Sequence, residues 1–262
     1  MQRLHLIEFE DLDAVPRAIR DGGTDLLDLA FTRMGFYAGA APELASLLER
    51  AGTDTLVDLC SGGGGGTLAL WRELAEPRPQ LVLSDRNPNR AGMARVAAMA
   101  DARVRYRQES VDAMGGGGEL AGIRTMSGAL HHFPPDAVRT LLTGIVARGA
   151  PLAFFDVAAS PAMRRAPIVV LPLAMAVNMV VLTIASLLLV PLVRPLSLSR
   201  VLLTYVVPLI PLLVAWDGTV SALRAYTPDE LLALAHGVPW AERYRFHAGV
   251  HGRALYLTGI PQ

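Results

Sequence analysis

Along the first 161 residues, two rhythms of apolar and polar positions take turns. Short apolar runs bounded by turn residues read as buried strands: TLVDL at 55–59, QLVLSD at 80–85, RVRYRQES at 103–110, GIRTMSGAL at 122–130 and PLAFFDV at 151–157. Between them, apolar positions recur at helical spacing over Thr24 to Phe36, Pro42 to Ala51 (Leu44, Leu47 and Leu48), TLALWRELA, PNRAGMARVAAMA and PPDAVRTLLTGIVA. Strands alternating with helices predict an α/β class with a doubly wound, mostly parallel sheet, and such sheets bind ligands at the carboxyl ends of their strands.

The rhythm breaks after Pro161. Ala166 to Val193 runs 28 residues without a charge, and Val201 to Trp216 another 16. At about 1.5 Å per residue the first run is long enough for a hydrocarbon core of roughly 30 Å, and the second is marginal. Pro172, Pro191, Pro208 and Pro211 interrupt both. The two runs, joined by RPLSLSR, predict an apolar helical hairpin that leaves and returns on one side. Two occupants fit it: a membrane, entered shallowly or as two spans, or a water-soluble lid packed on the core or a second subunit. Arg164 and Arg165 favour a cytoplasmic flank, whereas Arg194 and Arg200 in the turn weaken that orientation.

Soluble character returns in the third block. Thr227 with Glu230 three residues on makes a capping box opening TPDELLALA. ERYRFHA and RALYLTG, separated by GVHG, predict an antiparallel hairpin. The expected division is therefore an N-terminal helical segment (1–40), an α/β domain (41–161 and 221–262) and a hydrophobic insertion (166–216).

Composition narrows the function. Basic and acidic residues balance at 24 each, so no field attracts polyanions and nucleic acid is excluded as a partner. The basic residues are all arginine, as GC-rich bacterial codon usage would produce, so arginine richness does not mark a phosphate site. The single cysteine, Cys60, allows no internal disulfide and suits a reduced cytosolic setting. The opening MQRLHLIEFEDLDAVP is too charged for a signal peptide, so the α/β part is expected to face the cytoplasm, at the membrane if the insertion anchors it there.

The chemistry concentrates in LVDLCSGGGGGTLAL, 56–70. Glycines between a strand and a helix let a ligand approach the backbone, because no Cβ intervenes. A triphosphate loop would end Gly-Lys-Ser/Thr, and this chain has no lysine. A G-x-G-x-x-A match exists at Gly64, Gly66 and Ala69 with Asp85 beyond it, which keeps an NAD-linked oxidoreductase open. In a run of five glycines, however, such a match comes cheaply. Asp58, Asp85 and Asp112 close or follow three successive strands. Three carboxylates suit a cationic ligand bearing hydroxyl and amine donors, as S-adenosylmethionine does, and repel a pyrophosphate.

Taken together these segments resemble the class I S-adenosylmethionine-dependent methyltransferases, over roughly 24–160 and 221–259. LVDLCSGGGG is similar to their first motif, with Asp58, Cys60, Gly62 and Gly64. LVLSDRNPN resembles the second, whose Asp85, beside Arg86, would hold the ribose hydroxyls. ESVDAM resembles the third, whose Asp112 and Ala113 would flank adenine. MSGALHHFPPDAV resembles the fourth strand and its helix, and the closing segment the last helix with the sixth and reversed seventh strands. Cys60 and Ser61 stand where the family often has Gly and Cys, GIRTM lacks the usual opening acid, ARGAP replaces a Pro-Gly-Gly turn, and the charge-free insertion is not a general family feature.

The resemblance implies S-adenosylmethionine as cofactor and a seven-stranded Rossmann-like sheet. His132 is the candidate general base and His131 a candidate acceptor contact, each also readable as packing. Trp216, Asp217, Arg224 and Tyr226, with Ser221, are readable either as an acceptor headgroup site or as an ordinary boundary of the apolar block. The run Gly115 to Gly118 reads as a flexible loop. No metal-ligand spacing occurs. The expected function is methyl transfer to a hydrophobic small-molecule or lipid acceptor. A non-catalytic, membrane-anchored nucleoside-binding relative is the further alternative.

Overall fold

A computed structural model describes residues 3–118, 120–157, 159 and 167–262. Arg164 and Arg165, the expected cytoplasmic flank, and Ala166, the expected start of the insertion, lie outside the described residues. The chain divides into two compact units, Gly35–Ala158 with Tyr226–Gln262, and Met1–Met34 with Ala159–Ala225. The N-terminal segment, expected to stand alone as 1–40, thus shares a unit with the insertion. That unit runs on to Ala225 where the sequence suggested a boundary before Ser221.

The first of these units is the α/β domain. With elements numbered along the whole chain, it contains α2 (Ala41–Ala51), β1 (Thr55–Asp58), α3 (Gly65–Arg72), β2 (Gln80–Leu83), α4 (Arg90–Met99), β3 (Val104–Tyr106), β4 (Ile123–Ser127), α5 (Pro135–Val146), β5 (Leu152–Val157), α9 (Pro228–His236), β6 (Tyr244–His251) and β7 (Ala254–Pro261). The strands form one seven-stranded sheet in the order β3-β2-β1-β4-β5-β7-β6. β1 to β5 run parallel, and β7 pairs antiparallel with both β5 and β6. The strand order reverses between β1 and β4, with β2 and β3 on one side and β5 on the other, and at such a switch point the strand ends leave a crevice for a ligand.

The strands read as continuous apolar runs because helices flank the sheet. Val57, Met126 and Phe154 from the strands pack with Leu141 and Leu142 of α5 and Leu231 of α9 in one buried cluster. Burial of each such side chain contributes roughly 1.5–3 kcal/mol. At the start of α9 the capping box forms as its spacing predicts: Glu230 N–H donates to the Thr227 hydroxyl (3.2 Å) and Thr227 N–H to Glu230 Oε2 (2.8 Å).

The other unit contains α1 (Arg17–Arg33), α6 (Leu171–Leu189), a short α7 (Leu198–Val201) continued by a π turn over Leu202–Val206, and α8 (Leu209–Arg224). Helix α1 begins seven residues before the expected Thr24, and the cause is visible at Gly22 and Gly23. A Cβ on Gly22 would lie 2.4 Å from Ile210 Cδ1, and one on Gly23 2.6 Å from Leu213 Cδ2. These two glycines lower helix propensity, yet they are what lets α1 lie against α8.

Candidate functional site

β1 ends in Asp58 and the chain must turn at once to enter α3. It does so through left-handed residues at Cys60 (φ 58°), Gly62 (φ 50°) and Gly64 (φ 85°). Gly64 is also fixed by packing, since a Cβ there would lie 2.9 Å from Leu83 Cδ1. At Gly62 an added Cβ would meet nothing within 4 Å. Its glycine answers to the backbone conformation alone, and that side of the turn is open. Cys60 takes the same conformation with a side chain, at a cost of roughly 1–2 kcal/mol.

Asp58 holds this turn together from beneath. The carboxylate is buried: Oδ2 accepts from Ser61 Oγ (2.6 Å), and Oδ1 accepts from Thr67 Oγ1 (2.7 Å) and Thr125 Oγ1 (3.0 Å). Thr67, donating there, accepts from Ser127 Oγ at 2.7 Å, which ties α3 to the end of β4. Burial pushes the Asp58 carboxyl up to about 6; the three hydroxyl hydrogen bonds pull against it, and the Asp85 charge adds to it. Asp58 therefore shapes the loop from within it, and its oxygens are already engaged.

Asp85 lies just past the end of β2, and Asp112 follows β3 after a short loop. Asp85 Oδ2 accepts the Gly62 N–H (2.9 Å), and Oδ1 accepts the Asn87 N–H (2.8 Å). Arg86, beside it, is exposed. Asp112 is exposed and caps the turn Ala113–Gly115 through Oδ1 on Met114 N–H (2.9 Å), while Ala113 is buried in the core. A hollow of about 520 Å³ opens beside it, lined by Val111, Asp112, Gly115, Gly117, Leu120 and Arg148 among others. The charges of Asp85, Asp58 and Asp112, in that order after burial, push the Cys60 thiol up to about 12. Cys60 is therefore a neutral small residue at the turn, not a nucleophile.

Four residues outside the sequence reading complete this end. Tyr106 Oη donates to Gly62 O at 2.7 Å, and burial raises the phenol to about 12. Tyr37, buried, lies 3.3 Å from where a Cβ on Gly66 would stand and 3.0 Å from one on Gly128. Arg124, buried in β4, donates from Nε to Gly116 O and from a terminal nitrogen to Gly122 O, both at 2.9 Å. That corrects the reading of Gly115 to Gly118 as a flexible loop. Gly116 packs so closely on α5 that a Cβ would fall 2.6 Å from the Gly144 backbone.

The fourth residue is Asp156, at the end of β5. Its Oδ1 lies 2.7 Å from His131 Nδ1 and its Oδ2 accepts the His131 backbone N–H at 2.7 Å. Both residues are buried. Burial disfavours the Asp156 anion, but the His131 charge, the imidazole hydrogen bond and the backbone N–H groups of Val157 and His131 outweigh it and hold the carboxyl below its ordinary range. His132 is half-buried, its ring 4.3 Å from that of His131 between centroids. Of the two histidines the sequence offered, His131 has its ring fixed by the Asp156 carboxylate, and His132, the expected general base, lies beside it.

The expected acceptor residues do not gather into one site. Trp216, Asp217 and Arg224 belong to the last turns of α8, where they hold the N-terminal segment of their own unit. Trp216 Nε1 donates to Ile7 O (2.9 Å), and Asp217 accepts the backbone N–H groups of Phe9 (2.7 Å) and Glu10 (3.0 Å). Arg224 donates to Leu6 O (2.7 Å) and Asp11 Oδ2 (2.8 Å) and pairs with Glu8 (3.2 Å). These polar groups are spent within the unit, so the headgroup-site reading gives way to the bland one. Tyr226, in the α/β unit, donates to Phe133 O at 2.7 Å and braces the turn that follows His132.

A glycine-rich turn after β1, an acid ending β1 and another just past β2, and a seven-stranded sheet with a reversed last strand define the Rossmann-like architecture of class I methyltransferases. Solved structures bear this out at the level of fold. An O-methyltransferase family protein from Burkholderia thailandensis matches over 90% of this chain and 58% of its own, with TM-score 0.53 and 14% identity. Human N-acetylserotonin methyltransferase in complex with SAM matches over 97% and 62%, with TM-score 0.53 and 14% identity. The chain thus spans about three fifths of the length of these structures. No family model and no curated protein matches the sequence.

Proposed function

We propose that the protein is an S-adenosylmethionine-dependent methyltransferase acting on a hydrophobic small-molecule or lipid acceptor, at the cytoplasmic face of a membrane. The observation that carries the reading is the open glycine turn at Gly62 in this fold, braced from beneath by Asp58 and joined through the Gly62 N–H by Asp85, with Asp112 exposed in the segment after the next strand. The donor set fits the cofactor: the accessible carboxylates of Asp85 and Asp112 would meet hydroxyl, amine and sulfonium groups favourably, and a dinucleotide pyrophosphate unfavourably. The same observation argues against the NAD-linked alternative.

When bound, S-adenosylmethionine supplies a methyl group on a positively charged sulfur. Asp85 would hold the ribose hydroxyls, Asp112 and Ala113 would flank the adenine, and Gly62 and Gly64 would admit the remainder beside the loop that Asp58 braces. His131 takes the acceptor's proton, with Asp156 on Nδ1 fixing the ring and stabilising the imidazolium, so that Nε2 is the proton-accepting atom. The apolar insertion in the same chain supports a lipophilic acceptor.

The test is transfer of labelled methyl from S-adenosylmethionine into extracted membrane lipids and hydrophobic metabolites, with His131→Ala alongside. Label in an organic-extractable product, lost in the variant while cofactor still binds, supports the reading. Binding without turnover on any such pool would reduce the protein to a non-catalytic nucleoside binder.

A further inference from the structure

Among the described residues one helix segment, Leu171–Leu192, is long and apolar enough to cross a membrane. Its polarity is inverted relative to a helix that faces water. Leu173, Val177, Val180, Val181, Ile184 and Leu188 line one face, all aliphatic and each more than half exposed. The polar side chains point the other way. Asn178 donates to Thr219 Oγ1 of α8 at 2.9 Å, and Ser186, buried, donates to Leu182 O at 2.7 Å. Gly218 of α8 admits the contact, since a Cβ there would sit 2.8 Å from Leu182 Cδ1. Apolar exposure continues through Leu198, Leu202 and Val206, so it wraps the turn as well as α6. A second protein copy covers one patch, whereas a bilayer covers such a surface from several directions.

Three features decide how the hairpin meets that bilayer. The returning segment is not straight: Leu198–Val206 and Leu209–Arg224 bend by 74°. Arg200, in the turn expected to be farthest from the termini, is ion-paired with Asp25 of α1. Helix α1, with Arg17, Asp21 and Arg33 exposed, packs through Leu26 against Val190 and Val193 at the turn and against Ile210, Leu213 and Val214 of α8. A two-pass span would carry the turn across the hydrocarbon and these charges with it, which a bilayer disfavours.

We infer that this insertion is an in-plane, monotopic anchor: the aliphatic face of α6 lies among the acyl chains of one leaflet, while α1 and the turn at Arg194 to Arg200 stay at the same aqueous interface. The inference deepens the membrane part of the proposed function and does not depend on methyl transfer.

The test uses full-length Ser199→Cys, in the turn, and Arg253→Cys, in the β6–β7 turn, expressed in a bacterial host, with the wild type and its Cys60 as blank. A membrane-impermeant maleimide is applied to inside-out vesicles and to intact cells. Both variants labelling to within about twofold of each other in inside-out vesicles, and neither in intact cells, is the expected result. Ser199→Cys labelling only from outside intact cells would establish a spanning hairpin and overturn the inference. So would a chain found wholly in the soluble fraction, whether as a monomer or as a dimer that seals the face. Val177→Asp with Ile184→Asp is expected to lower the vesicle-bound fraction at least tenfold while S-adenosylmethionine affinity stays within twofold. An unchanged bound fraction would also overturn it, and loss of cofactor binding with anchoring intact would count against the catalytic reading alone.

Discussion

Asp58→Asn gives the sharpest physical test of how the glycine turn is built. The carboxyl titrates at about 6 in the folded protein, against 3.8 for the ordinary group. A raised pKa means the folded state holds a proton that the unfolded chain has released, so the associated stability is present in full below 3.8 and lost as pH rises through 6. Two-state linkage puts it at about 3 kcal/mol well below 3.8, about 1.4 kcal/mol at pH 5 and near zero at pH 7.5. Asparagine keeps an acceptor for Thr67 and Thr125, and its amide can donate to Ser61, which already accepts from Ser84 N–H at 3.0 Å. The variant therefore keeps the turn and removes the titration. Urea unfolding followed through Trp71, buried in α3 with Nε1 donating to Pro79 O, reports on this unit at both pH values. Between pH 5 and 7.5 the wild type should lose about 1.4 kcal/mol more stability than Asp58→Asn. Equal pH slopes, or a wild type that gains stability relative to the variant, would refute the assignment of the proton to Asp58.

Asp156→Asn should lower turnover about 10²-fold or more, because the His131 ring loses the carboxylate that sets its tautomer, with cofactor affinity unchanged by calorimetry. His132→Ala should leave turnover within a few-fold, and a loss equal to that of His131→Ala would return the base to His132. Gly64→Ala, at φ 85° and 2.9 Å from Leu83, should cost about 1–3 kcal/mol in urea unfolding and weaken cofactor binding with it. Tyr106→Phe should cost about 1 kcal/mol by losing the hydrogen bond to Gly62 O.

What was legible in the sequence was local. The strands ending in Asp58 and before Asp85 and the capping box at Thr227 follow from period, turn residues and caps within a few positions of one another. The start of α1 was not, because Gly22 and Gly23 weaken a helix in isolation and are explained only by Ile210 and Leu213, nearly two hundred residues away. Trp216, Asp217 and Arg224 invited a site reading because aromatic and charged residues beside an apolar block suggest one. Their partners, Leu6 to Asp11, carry no motif that announces the pairing. Asp156 did carry a signal, an acid near the end of β5 like the one ending β1 and the one just past β2, and it holds the His131 ring. Arg124 shows the reverse case, a charged residue inside a central strand whose purpose appears only when the glycine run at 115–118 folds over it.

The most direct test of the central claim is calorimetric titration of the detergent-purified protein with S-adenosylmethionine, S-adenosylhomocysteine and NAD, beside Asp85→Ala. Micromolar binding of the first two, weakened at least tenfold in the variant, and no binding of NAD are expected. Binding of NAD alone would contradict the claim.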